Sequence, residues 1–139
     1  MLLPQRNSGI PHGAPTSVSH AFWEGCRKGQ LLFQRCTCGT ANFPPTEHCR
    51  QCLGKGLTWE RSKGLGTLDT WTVVYRPVVQ AFTVPYAPAI VRLDEDFSIM
   101  SNVVGCDTEE LKAEMRVRVV FNHLDSLFSL PYFQPESLP

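Results

Sequence analysis

"RCTCGTANFPPTEHCRQC", residues 35–52, gathers four of the chain's six cysteines. Cys36 and Cys38 are one residue apart, Cys49 and Cys52 two apart, giving C-x-C-x10-C-x2-C. Cysteine pairs on tight turns supply two thiolates each, and two such pairs brought together form a tetrahedral metal site. Cys38-Gly39 suits such a turn, because glycine accepts the positive φ that aims backbone N–H groups at sulfur. Pro44 and Pro45 stiffen the return to Cys49, and His48 stands nearby as a substitute ligand. A closed four-thiolate site leaves no open coordination position. The spacing therefore predicts one structural Zn2+ per chain, with iron or an empty vestigial cluster as alternatives.

Free thiols require a reducing compartment. The opening "MLLPQRNSGIPHGAP" is broken at Pro4, so it lacks the apolar core of a secretory signal, and no run is long enough to span a bilayer. The expectation is a cytoplasmic protein without a membrane partner, in which clustered cysteines are ligands and not disulfides. Among 139 residues, 13 basic groups balance 13 acidic ones, so no net field draws the chain to nucleic acid. Cys26 and Cys106 read as small packed residues.

Outward from the cysteines, residues 1–15 carry Pro4, Gly9, Pro11, Gly13 and Pro15 and read as a flexible leader. "TSVSHAFWEGCRKGQ" predicts a helix over about 17–28 within an N-terminal helical segment, 16–30. Thr16 or Ser17 would cap it, Val18, Phe22 and Cys26 share one face, and Gly29 ends it. "QLLFQR" delivers a strand to Cys36 and "LTWER" leads out, bounding a ribbon at 31–62. From 63 to 139 the pattern changes to β-branched and aromatic runs divided by Gly, Pro or Asp: "GTLDTWTVVYRPV", "APAIVRLD", "FSIMSNVVG", "RVRVVFN" and "SLFSLPYF". Alternation in the first run places Thr67, Asp69, Trp71, Val73 and Tyr75 on one face. Asp107 and Glu110 have capping-box spacing for a short helix. The fold class is mainly β: an N-terminal helix, a metal ribbon, then five strands compatible with an OB-type Greek-key barrel.

No G-x-S-x-G, phosphate loop or H-E-x-x-H occurs, and His12, His20, His48 and His123 are isolated in sequence. Asp94, Glu95 and Asp96 read as a solvated hairpin tip. No catalytic set stands out.

"FWEGCRKGQLLFQRC", "CGTANFPPTEHCRQC", "SKGLGTLDTWTVVYRP", "VPYAPAIVRLDE" and "LPYFQP" resemble, in that order, the DUF35 family, from about Ser17 to Pro135. These are small proteins with an N-terminal helical segment, a rubredoxin-like zinc ribbon and a C-terminal OB-fold. The resemblance implies zinc on Cys36, Cys38, Cys49 and Cys52, although the Cys36–Cys38 pair is one residue shorter than the family's usual spacing. It also implies a non-catalytic accessory subunit in a hetero-oligomer with a thiolase-fold protein. The partner would be a thiolase, a steroid side-chain aldolase or an acyltransferase acting on acyl-CoA thioesters, with possible acyl-CoA contact by this subunit. The alternatives are a single-stranded nucleic-acid-binding module, which would need a basic groove and has only Arg116 and Arg118 as a stripe, an iron electron carrier, and an independent enzyme.

A docking protein exposes apolar anchors that its own core leaves uncovered. Two regions qualify for partner or substrate contact: the helix with Phe22 and Trp23, and "YRPVVQAFTVPY", with Val78, Val79, Phe82 and Tyr86 among prolines that discourage pairing. For the helix, packing against the barrel is the alternative reading.

Overall fold

The computed structural model describes residues 1–5 and 9–137. Residues 6–8 of the expected leader and 138–139 at the end of the barrel segment lie outside the described residues. The helix α1 spans His20–Arg27, shorter at its start than its pattern predicts. Thr16 and Ser19 exchange hydroxyl contacts instead: the Thr16 N–H donates to Ser19 Oγ at 2.9 Å and the Ser19 N–H to Thr16 Oγ1 at 3.1 Å. These reciprocal contacts are of capping-box type, with Thr16 as the cap: the His20 N–H donates to the Thr16 carbonyl at 2.9 Å, and the regular helix follows from His20.

Strands β1 (Leu32–Cys36), β2 (Ala41–Asn42) and β3 (Leu57–Arg61) form an antiparallel sheet in the order β2-β1-β3. Next come β4 (Leu65–Trp71), β5 (Ala87–Leu93), β6 (Ser98–Val103), a 3-10 turn at Thr108–Glu110, β7 (Arg116–His123) and β8 (Ser129–Pro135). They close a five-stranded barrel ordered β4-β5-β6-β8-β7, with β4 also pairing β7. The parallel β6–β8 seam is held by one pairing, Val103 with Phe133. This is the OB-type Greek-key barrel that the five runs suggest. The Asp107 N–H donates to Glu110 Oε2 at 2.6 Å, completing the capping contact that the spacing implied.

Alternation in β5 sends Ala87, Ala89, Val91 and Leu93 inward. The β4 alternation is interrupted by a bulge between Leu68 and Thr70. Leu68 is fully buried, whereas Asp69 and Thr70 are both exposed, so the expected single face from Thr67 to Tyr75 does not form. Gly66 permits a close β4–β5 approach: a Cβ there would sit 2.4 Å from the Arg92 carbonyl oxygen.

One core joins all three parts. Phe33 of β1 stacks on Phe97 of the β5–β6 turn with centroids 4.8 Å apart. Phe43 lies 5.5 Å from Phe97 and 5.4 Å from Phe22 of α1. A second cluster gathers Leu2, Leu68, Ala87, Val103, Cys106 and Leu111. Leu2, Gln5 and Ile10 are buried, so these parts of the segment read as a loose leader pack against the folded chain. The acidic tip is a hairpin turn, as expected, but it is also a joint. Glu95 accepts from the Ser62 hydroxyl and the Lys63 N–H, both at 2.7 Å, tying the end of the ribbon to the barrel.

Candidate metal centre and docking surface

The four ribbon cysteines converge. Their sulfurs all lie within 4.8 Å of one another, with Cys36 and Cys49 buried and Cys38 and Cys52 exposed. Cys36 and Cys52 sulfurs are 3.5 Å apart, and Cys38 and Cys49 sulfurs 3.7 Å. A zinc tetrahedron with Zn–S of about 2.3 Å has sulfur–sulfur edges of about 3.8 Å. The cluster fits that size.

Each pair sits on a turn shaped for sulfur. Gly39 has φ +95° and donates its N–H to the Cys36 carbonyl at 2.8 Å. In the second turn it is Leu53, at φ +63°, that takes the left-handed conformation, and its N–H donates to the Cys49 carbonyl at 2.9 Å. Backbone N–H groups of Cys52 and Gln51, with the Asn42 amide, hold the Cys49 thiol down at about 6. The hydroxyl and N–H of Thr40 hold Cys38 below its ordinary value. At Cys52 the Gly54 N–H pulls downward, but the neighbouring Cys36 and Cys38 sulfurs outweigh it and leave that thiol at about 11. Four sulfurs in contact cannot all ionise side by side without a cation between them. Cys49 is poised as thiolate, and Cys52 needs a metal to become so.

Two buried amides that the sequence reading overlooked support the centre. Asn42 is 1% exposed, donates to Cys49 Sγ at 3.5 Å and to the Thr40 carbonyl at 3.1 Å, and accepts from the Arg50 N–H at 2.8 Å. Gln34 donates to the Thr46 carbonyl and accepts from the Thr46 N–H, fixing the proline loop against β1. Their signal was an amide inside a strand next to an aromatic residue, Phe33 beside Gln34 and Phe43 beside Asn42. His48 is exposed and lies outside the sulfur cluster.

Cys26 and Cys106 are packed as expected. Burial pushes the Cys26 thiol up to about 12 and raises Cys106 as well. One pairing escaped the sequence reading: His123 Nδ1 lies 2.5 Å from Ser129 Oγ. Ser129 is 1% exposed, so its hydroxyl is shielded from any substrate in solution. Arg116 and Arg118, the nearest thing to a basic stripe, are engaged by carboxylates: Arg116 by Asp94 and Glu136, Arg118 by Glu136 at 3.9 Å. Such pairing weakens the field a polynucleotide would need.

The two expected contact regions differ. Phe22 is a core residue, 5% exposed, which answers to the packing reading of the helix rather than to an exposed anchor. Trp23 is half-buried, edge-on to Phe22 and to Phe128. Both line a groove of about 660 Å³ with Phe43, Pro44, Met100 and Tyr132. The Tyr75–Tyr86 segment is an arm joined at its base by a Val74–Tyr86 bridge. Val78 is 87% exposed, while Phe82 stacks on Tyr86 with centroids 5.0 Å apart. Val78, Val79 and Val84 are exposed, whereas Phe82 and Tyr86 are half-buried.

Comparison with known proteins names two domains along the chain. Residues 23–58 match the ChsH2 rubredoxin-like zinc ribbon domain and residues 59–122 the ChsH2 C-terminal OB-fold domain. A probable enoyl-CoA hydratase alpha subunit of Thermomonospora curvata is 30% identical over 118 residues, 84% of this chain. The chain spans only 37% of that relative's length. The solved structure of an Ltp2-ChsH2(DUF35) aldolase superposes with a TM-score of 0.82 at 27% identity, covering 89% of this chain and 98% of the matched one. A DUF35 domain-containing scaffold protein of Pyrococcus furiosus is 30% identical over 110 residues, 78% of this chain and 80% of the relative. Fold, cysteine cluster and relatives agree: the chain belongs to the DUF35 family.

Proposed function

We propose that this protein is a non-catalytic accessory subunit of a thiolase-fold enzyme acting on acyl-CoA thioesters in the cytoplasm. One structural zinc ion on Cys36, Cys38, Cys49 and Cys52 keeps the ribbon in shape. The observation that carries the reading is the uncovered apolar arm, Tyr75–Tyr86, on a chain that superposes along nearly its whole length on the DUF35 part of a two-component aldolase. The relative named as an enoyl-CoA hydratase alpha subunit supports the acyl-CoA class, and six free cysteines suit a reducing compartment. The arm supplies anchors for the partner, and the groove beside Trp23 offers apolar wall to a substrate or to the partner's side chains.

The test pairs this chain with a thiolase-fold protein encoded beside it. Val78→Asp with Val79→Asp removes exposed anchors and spares the Phe82–Tyr86 stack that shapes the arm. Burying a valine is worth about 1.5–3 kcal/mol, so the double variant weakens association by roughly a hundredfold or more while the melting temperature holds. The isolated wild-type chain turns over no acyl-CoA thioester. Unchanged affinity in the variant sinks the arm as the interface, and multiple turnovers by the lone chain sink the accessory reading.

A further inference from the structure

The arm is poorly held by its own backbone. Apart from the Val74–Tyr86 bridge, its internal main-chain bond is from the Phe82 N–H to the Val79 carbonyl, at 3.2 Å. A segment tied so sparsely samples many conformations, and each conformation other than the docking one subtracts from affinity.

What holds the arm comes from the start of the chain. Leu2 is 1% exposed, in the cluster with Leu68, Ala87 and Val103, and pairs by backbone with Gly105 and Cys106 after β6. From that anchor the chain reaches Gln5, 3% exposed. The Gln5 side chain donates from Nε2 to the Thr83 carbonyl at 3.2 Å and accepts the Thr83 N–H on Oε1. Its amide thus reproduces, for one residue of the arm, the two-point pairing of a β-ladder. The Gln5 carbonyl also faces Asn122 Nδ2 of β7 at 3.5 Å, and Ala81 of the arm lies against Gly9. Thr83 and Ala81 are therefore turned toward the N-terminal segment, while Val78 and Val84 remain exposed.

We infer that Gln5 is a positioning residue: its buried amide latches Thr83 and fixes the apolar edge of the arm in one orientation, ready for the partner. The consequence for docking rests on the function proposed above; the latch itself does not. A latch of this kind acts on the free protein. Its loss lowers the fraction of chains able to dock and slows association, but leaves the formed complex, with the same contacts, dissociating as before.

Hydrogen exchange on the full-length free chain reads the latch directly. In Gln5→Ala, protection of the Thr83 N–H and its neighbours in the arm falls by about tenfold or more, while β5 and β7 keep theirs. Gln5→Glu keeps the accepting oxygen but lacks the donor, so it gives an intermediate loss and serves if Gln5→Ala does not fold. With the thiolase-fold partner, the association rate of Gln5→Ala drops about tenfold and the dissociation rate stays within about twofold. Unchanged exchange in the arm overturns the latch. Lost protection with an unchanged association rate overturns its role in docking. If the wild-type chain binds no thiolase-fold protein, the proposed function fails, and exchange in the free chain still decides whether Gln5 positions the arm.

Discussion

In the barrel, the inward side chains of β5 are buried along the strand, and Leu68, Val117 and Phe133 meet them at 0% exposure. In the ribbon beyond the end of β1, residues 36–58, the buried side chains are Cys36, Ala41, Asn42 and Cys49. Two of these are cysteines of the sulfur cluster and one is an amide. So little apolar burial cannot offset the conformational entropy of ordering that length of chain, at about 1–2 kcal/mol per residue. The barrel is ordered by what it hides from water. The outer ribbon depends on cross-linking through sulfur.

That contrast predicts where a ligand substitution acts. Cys49→Ser removes the most buried thiolate, the one held by the Cys52 and Gln51 N–H groups and by Asn42. Zinc content falls from about one per chain toward none, and amide protection across 36–58 collapses while the barrel strands keep theirs. Metal analysis with hydrogen exchange checks both halves. Full zinc occupancy with an ordered outer ribbon would break the comparison at its root.

Strand β1 behaves differently because its Phe33 stacks on Phe97 of the barrel, the ring that half-buried Phe43 of the outer ribbon also meets. Phe97→Ala deletes the common partner, and a large-to-small change of this kind in a core costs about 3–5 kcal/mol. Since the lost contacts belong to both sheets, β1 and β5 lose protection together, unlike in Cys49→Ser. Denaturant unfolding followed by fluorescence and by exchange tests this. A wild-type protein whose β1 and β5 unfold in separate transitions would show that the aromatic run does not couple them.

Much of this division was legible in the sequence, because each signal was local. The cysteine spacing and Gly39 specify turns, and the Asp107–Glu110 spacing specifies a cap. Val91, Leu93 and their neighbours alternate with a period of two. The length of β4 was not legible: a bulge at Leu68/Thr70 shifts the register, and the apolar letters of Val73 to Val79 look like strand although they form the base of the arm and its first residues. Phe22 was ambiguous for a similar reason, since an aromatic on a helix gives no hint of whether Phe43 waits opposite. The roles of Gln5, Gln34, Asn42 and Glu95 lay furthest from view. Each depends on a main-chain or sulfur partner brought near by the fold, and no periodicity records that. The resemblance to the family supplied the OB topology, which the strand pattern alone left as one of several.

The smallest effect concerns the barrel rim, where Arg116 donates to both carboxylate oxygens of Asp94, at 2.8 and 2.7 Å. Those hydrogen bonds hold the Asp94 carboxyl below its ordinary value of 3.8. The folded chain therefore takes up this proton less readily than the unfolded chain. The pair stabilises the fold above the unfolded value, and the contribution is lost as pH falls through the lowered folded value. Side-chain exposures of 44% and 43% let solvent screen the pair, which limits it to less than about 1 kcal/mol. Asp94→Asn should be slightly less stable than wild type near neutral pH, and the gap should close in acid and at high salt. Metal release from the ribbon on acidification follows protonation of its thiolates, so its pH midpoint should be the same in both proteins. Urea midpoints and zinc content measured across the same acid titration separate the two processes. A shifted metal midpoint in Asp94→Asn would mean that the hairpin at Asp94–Asp96, through Glu95 and its hold on Ser62 and Lys63, transmits strain from the barrel into the metal centre.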